Sequence, residues 1–213
     1  AGRWNTFRLD QNKDDKNAAY NKLIGLGYLD GYKPASDSQG VTVFNKDIAQ
    51  PGLNFFISGH SPEAILMDME GKVLHTWRYR NANDIWKDKT PNAWGTGYWR
   101  RAYLYRNGDI LAIYEGLGLV KLDKNSKLLW SYTSDRAPHH DMEVLDNGTI
   151  FILTREQKQL HHLSSKPVFD EFITVLSNEG ELIKEVSLVR LIENSPYANM
   201  LNNDFIKAGG LMG

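Results

Sequence analysis

"MEVLDNGTIFILTRE" (142–156) and "AYLYRNGDILAIYE" (102–115) are built to one plan, and their relation decides the fold. In each, alternating apolar positions flank an Asn-Gly pair, at 147–148 and at 107–108. Asn-Gly between alternating strands is the residue pair that a two-residue type I′ hairpin turn demands, because both turn residues take positive φ. The two pairs lie about 40 residues apart in the chain. Between these hairpins a second design recurs, in "LMDMEGKVLHTW" (66–77), "KLDKNSKLLWSY" (121–132) and "VLSNEGELIKEV" (175–186). Each copy reads as strand, polar turn, strand.

Interleaved, the two designs make a unit of four short antiparallel strands. Such units repeating every 40 to 50 residues or so mark the blades of a β-propeller. An ordinary β-sandwich also has short strands at regular intervals, but it does not require two motifs to alternate. The predicted class is therefore all-β, a β-propeller. The sequence holds two nearly complete blades, a partial one before them and strands of another after them, about three blades in all. Rings close with about four to eight blades, and an open arc leaves an unpaired blade face. Residues 41–213 are expected to form part of a larger ring, completed by the same or a second chain.

Residues 1–40 read differently. "DQNKDDKNAAYNKLIGLGYLDGY" is polar and then briefly helical in pattern, with glycines that keep any helix short. This stretch is expected to be an arm or tether packed on the main domain. The tail "NNDFIKAGGLMG" has the composition of a loop. The chain begins "AGRW", which suits a processed protein with a signal or membrane tether upstream of residue 1.

Composition narrows the function. Of 213 residues, 25 are Lys or Arg and 26 are Asp or Glu, a balance that argues against a nucleic-acid partner. There is no cysteine, so disulfides, thiolate catalysis and thiolate metal sites are excluded. No apolar run approaches the length of about 18 residues that would span a bilayer.

The innermost strand of each propeller blade runs along the central channel, so its end residues converge on one axial site. The spacing of the Asn-Gly pairs sets Arg100 in the position of His140, and Arg101 in that of Asp141. One blade offers guanidinium and the next offers imidazole, a combination suited to an oxyanion such as sulfate, phosphate or carboxylate. Arg155 is a further candidate from the same repeat alignment. Taken alone, His139-His140-Asp141 is a weak motif of a kind more often structural or exposed than catalytic, and its place before a channel-lining strand leaves both readings open. Neighbours on a strand face opposite ways, so at most one of the two histidines is expected in a given site. A zinc site is not expected, for want of a third ligand at fitting spacing. His60 corresponds to Glu115 in the repeat and is a weaker candidate for the same site. His161 and His162 fall in a long insertion and read as surface loop, and His75 takes the place of Trp130 as a blade-packing residue. "NAWGTGYWRRAY" sets Trp94, Tyr98, Trp99 and Tyr103 beside the arginines, either as a pocket for a flat ligand or as packing.

With these residues laid out, the chain resembles the arylsulfotransferase (aryl-sulfate sulfotransferase) family of bacterial β-propeller enzymes. The resemblance lies in "PGLNFFISGHSPEAILMDMEGKVLHTW", in "PHHDMEVLDNGTIFILTRE", and in "FDEFITVLSNEGELIKEVSL" followed by "SPYANML". It covers roughly residues 40 to 200 in consistent order. It implies a six-bladed propeller in the periplasm or elsewhere in the cell envelope or outside the cell. Such an enzyme moves a sulfuryl group from an aryl sulfate to a phenolic acceptor. It needs no cofactor and no nucleotide sulfate donor, and it proceeds through a transiently sulfated histidine. The family's His-His-Asp matches His139, His140 and Asp141, and the resemblance implies an oxyanion-binding or proton-transfer role, for His140 first. Arg100, Arg101 and Arg155 come from the repeat alignment and not from a family motif. In the family the sulfated histidine lies in a later blade than any present here. The rival expectation is a non-catalytic propeller serving as a binding module or a subunit of an envelope assembly. A carbohydrate- or quinone-linked propeller enzyme is disfavoured, because no paired carboxylates mark the channel mouth.

Overall fold

The computed structural model describes residues 40–88 and 96–202. The expected N-terminal arm, the glycine-rich tail and Trp94 lie outside the described residues. Among the described residues, eleven strands form three antiparallel meanders. The first sheet holds β1 (Asn54–Ile57), β2 (Glu63–Met67) and β3 (Val73–Arg78). A short helix, α1 (Ala82–Ile85), leads to the second, of β4 (Arg101–Leu104), β5 (Ile110–Tyr114), β6 (Gly118–Leu122) and β7 (Leu128–Thr133). The third holds β8 (Ala137–Val144), β9 (Ile150–Lys158), β10 (Val168–Leu176) and β11 (Leu182–Ser187). Within each sheet every strand pairs with the next in sequence. After β11 come α2 (Leu188–Glu193) and a 3-10 turn (Ala198–Asn202). The strands expected of another blade after the first three are not found among the described residues, because "VLSNEGELIKEV" supplies the outer half of the third sheet itself.

The Asn-Gly turns differ from the expected type I′ form. Only the glycines take positive φ, +88° at Gly108 and +84° at Gly148. Gly108 N–H donates to the Tyr105 carbonyl at 3.0 Å, and Tyr105 N–H to the Asp109 carbonyl at 2.9 Å, so a tight turn is followed by a left-handed residue. The asparagines act through their side chains. Asn107 Oδ1 accepts from Asp109 N–H at 3.1 Å and Asn147 Oδ1 from Thr149 N–H at 3.0 Å, giving each residue a satisfied local bond without positive φ. The β2–β3, β6–β7 and β10–β11 turns repeat the same backbone bonds, with Ser126 (φ +66°) in the glycine position of the second.

Burial explains why some strands alternate and others do not. β5 and β6 are buried at every position. One face of the middle sheet, with Ile110, Ala112, Tyr114, Val120 and Leu122, packs on Ala64 and Trp77 of the first sheet and on Trp86 and Trp99. The other, with Leu111, Ile113 and Leu119, packs on Met142, Val144, Ile150, Ile152 and Leu176 of the third. Each of the larger aliphatic side chains among these contributes about 2 kcal/mol through burial. β10, with only one face covered, alternates strictly between buried and half-buried positions. The first strand of each four-stranded sheet is a free edge, and β8 lies against β4, β5 and β6. Successive sheets therefore fan about their first strands, and the chain forms consecutive blades of a β-propeller.

One contact recurs between blades. His75 Nε2 bonds the Lys124 carbonyl at 2.7 Å, and Trp130 Nε1 donates to the Asn178 carbonyl at 3.1 Å. Both rings sit on the outermost strand and reach the β–β turn of the following blade. His75 thus packs between blades, as its place in the repeat implied.

Candidate active site

β8 is irregular where it matters most. Pro138 pairs with Thr154 and Met142 with Ile152, so His139, His140 and Asp141 together oppose a single residue of β9. This bulge re-aims side chains that a regular strand would send to opposite faces. His140 adopts φ +49°, a left-handed conformation that few non-glycine residues take. The expectation that only one histidine can serve a given site is therefore corrected: the two rings lie together, with Nδ1 to Nδ1 at 2.8 Å. His139 is buried and His140 exposed.

β10 supplies a third member. Glu171 Oε2 lies 2.6 Å from His139 Nε2. Burial pushes the His139 pKa below its ordinary value of 6.5, and the nearby Arg155 and His140 act in the same direction against the pull of Glu171. Burial thus favours the neutral ring.

Three arginines surround this group, each facing a carboxylate. Arg101 Nε is 3.0 Å from Asp141, which ties the first strand of the middle blade to the bulge. Arg100 Nε lies 3.6 Å and Arg155 4.0 Å from the buried Glu115, which follows β5. The Arg155 guanidinium also stacks 4.7 Å over Phe169. Tyr98 borders the group; burial and Glu115 raise its pKa, with Arg100 opposing. Two guanidinium groups thus face Glu115 and the third faces Asp141, while Glu171 is engaged by His139.

The other candidates lie elsewhere. The His60 ring is engaged within the first blade, by Ser58 and, at 3.0 Å, by Glu63, whose carboxylate also binds Arg78. Burial raises the Glu63 pKa, but its bonds to Arg78 and His60 outweigh this and leave it lowered. His162 contacts Glu193 at 2.5 Å on the surface, in keeping with a loop position. Trp99 does not line a pocket. It is buried in the core, edge-on to Tyr114 at 6.3 Å between ring centres, while Tyr103 lies near the opposite, turn-bearing end of its blade, beside Tyr105. Among the described residues no three His, Asp or Glu side chains converge as metal ligands.

Glu115 and Glu171 were missed in the sequence. Glu171 stands directly opposite Arg155 in the β9–β10 register, a pairing that the two turns flanking these strands could have disclosed. Glu115 ends an otherwise apolar run, where a carboxylate is conspicuous.

Comparison with known proteins agrees with this architecture. No curated protein matches the chain. The family model described as Arylsulfotransferase (ASST) matches residues 40–209, a span that holds every strand of the described residues and the whole histidine–arginine group. On that match, and with the blades and the His-His-Asp bulge in place, the chain belongs to the arylsulfotransferase family.

Proposed function

We propose that the protein transfers a sulfuryl group from an aryl sulfate to a phenolic acceptor, outside the cytoplasm, through a sulfated histidine. The observation that carries this reading is the convergence of His139, His140 and three arginines at one end of adjacent blades. Sulfuryl transfer, like phosphoryl transfer, asks the protein mainly for positioning and charge stabilisation. Guanidinium groups supply planar donors for sulfate oxygens, and Arg100, Arg101 and Arg155 take that role. In the first half-reaction a neutral imidazole attacks sulfur, the S–O bond to the donor breaks, and the departing phenolate takes up a proton. In the second, the acceptor phenol loses its proton as its oxygen takes the sulfuryl group. A phenol pKa of about 10 makes modest acid–base help sufficient, and His140 is placed to provide it. Division into two steps is the usual gain from nucleophilic catalysis.

The nucleophilic histidine is assigned to a further blade. The outer face of the third blade supports such a neighbour. Phe151, Leu153, Ile173 and Val175 take the register positions that Leu111, Ile113, Leu119 and Lys121 take in the middle blade, the positions that meet the next sheet. The test is turnover by the intact, folded protein. Release of 4-nitrophenol from its sulfate ester is expected only when a phenol is supplied, and no acceptor-dependent release would overturn the reading in favour of a binding module.

A further inference from the structure

The site contains a carboxylate that the reaction above does not use. We propose that Glu171 is a positioning residue which, acting through His139, fixes His140 with its proton on Nδ1 and its Nε2 bare.

Hydrogen-bond capacity leads to this arrangement. A carboxylate only accepts, so the 2.6 Å contact with Glu171 requires the His139 proton to sit on Nε2. With its proton on Nε2 and the ring buried, which disfavours a second proton, His139 leaves a lone pair on Nδ1. The 2.8 Å contact between the two Nδ1 atoms needs one hydrogen, and only His140 can supply it. Neutral His140 then presents Nε2 as a base on an exposed ring. The tautomer of one imidazole is set by the bond its other nitrogen makes, and here the setting passes through two rings. The bulge is what allows it, since φ +49° at His140 brings consecutive side chains edge to edge, with ring centres 5.0 Å apart.

The charged groups around this relay reinforce it. Arg155, opposite Glu171 on β9, disfavours a second proton on His139. Arg101 occupies Asp141, leaving that carboxylate a poor competitor for the His140 proton. Arg100 and Arg155 share Glu115, so Glu171 is the carboxylate bonded to the histidines.

On the reading given under Proposed function, the proton balance is simple. As the acceptor phenol attacks sulfur, its O–H bond breaks and the proton goes to His140 Nε2. The resulting imidazolium keeps its Nδ1–H on His139, and Glu171 offsets the charge. In the donor half-reaction, which comes first, Nε2 is bare and the departing phenolate takes its proton from water; after the acceptor half-reaction His140 Nε2 returns its proton to water.

The test does not need turnover. In the intact protein with 15N-labelled histidine, long-range proton–nitrogen correlation spectra identify which imidazole nitrogen is protonated. We expect His140 to carry hydrogen on Nδ1. In Glu171→Leu, which removes the acceptor, His140 should gain the Nε2–H form, whereas Glu171→Gln, which keeps a carbonyl acceptor, should retain Nδ1–H. An Nε2–H tautomer in the wild type, or an unchanged tautomer in a folded Glu171→Leu protein, overturns the proposal. Where turnover is present, Glu171→Leu should lower kcat by about 100-fold with KM little changed, and Glu171→Gln should recover much of it. A correct tautomer in a protein that turns nothing over overturns the sulfuryl-transfer reading and leaves the role of Glu171 standing.

Discussion

His140 holds two properties in tension, since its backbone conformation favours glycine and its ring is the one the chemistry needs. A non-glycine residue in the left-handed region costs about 1 kcal/mol, comparable with the one hydrogen bond that His140→Gly would give up. The melting temperature of His140→Gly should therefore stay close to that of the wild type while acceptor-dependent release is lost. His140→Val, with a branched Cβ at positive φ, should melt well below it. Equal melting of the two variants would show that the bulge does not hold this conformation. His139 gives a pH prediction. Its folded-state pKa is lowered, so the unfolded chain binds more protons in acid, and stability rises with pH. The contribution is fully present above about 6.5 and fades as pH falls through the folded value. Chemical denaturation at pH 7 and pH 5 should show a loss of stability that His139→Gln reduces. Much of this site was legible from repeat spacing, which put Arg100, Arg101, His140 and Asp141 at equivalent places. The contact of Glu171 with His139 was not, because strict alternation hides any contact that a bulge creates.

At the scale of the element, five of the β–β turns share one backbone and differ in how they fill it. Ser126 takes the left-handed place where Gly71, Gly108, Gly148 and Gly180 stand in the others, and its hydroxyl accepts from Arg78 N–H at 3.0 Å, a stitch from the middle blade to the first. Ser126→Ala loses that bond and keeps the backbone cost, so it should destabilise by about 1 kcal/mol. Ser126→Gly loses the same bond but recovers about as much from the backbone, and should be near neutral. Denaturant midpoints of the pair rank the two effects, and an alanine variant as stable as the glycine one would remove the stitch from the account. The turns themselves were legible as turns from Asn-Gly, but not in type. Asparagine there serves by its side chain, and a sequence pattern does not distinguish that from a left-handed backbone.

The whole molecule is a set of sheets that stabilise one another across their faces. The middle blade is buried on both sides and the third on one. On the outer face of the third blade, Val175→Ser separates two cases. Under a further blade it should cost about 2 kcal/mol or more, and on a face open to water less than about 0.5 kcal/mol. The propeller was legible because two motifs alternate at fixed spacing, a long-range regularity that survives uncertainty about any one strand. What the repeat did not give was the boundary of the last sheet, since its outer strands resemble the start of another. The most direct test is a crystal structure of the intact protein with an aryl sulfate bound. The sulfate is expected within hydrogen-bonding distance of His140 and at least one of Arg100, Arg101 and Arg155, at the inner end of the fanned sheets. A sulfate seated elsewhere, with His140 on the outer rim, would contradict it.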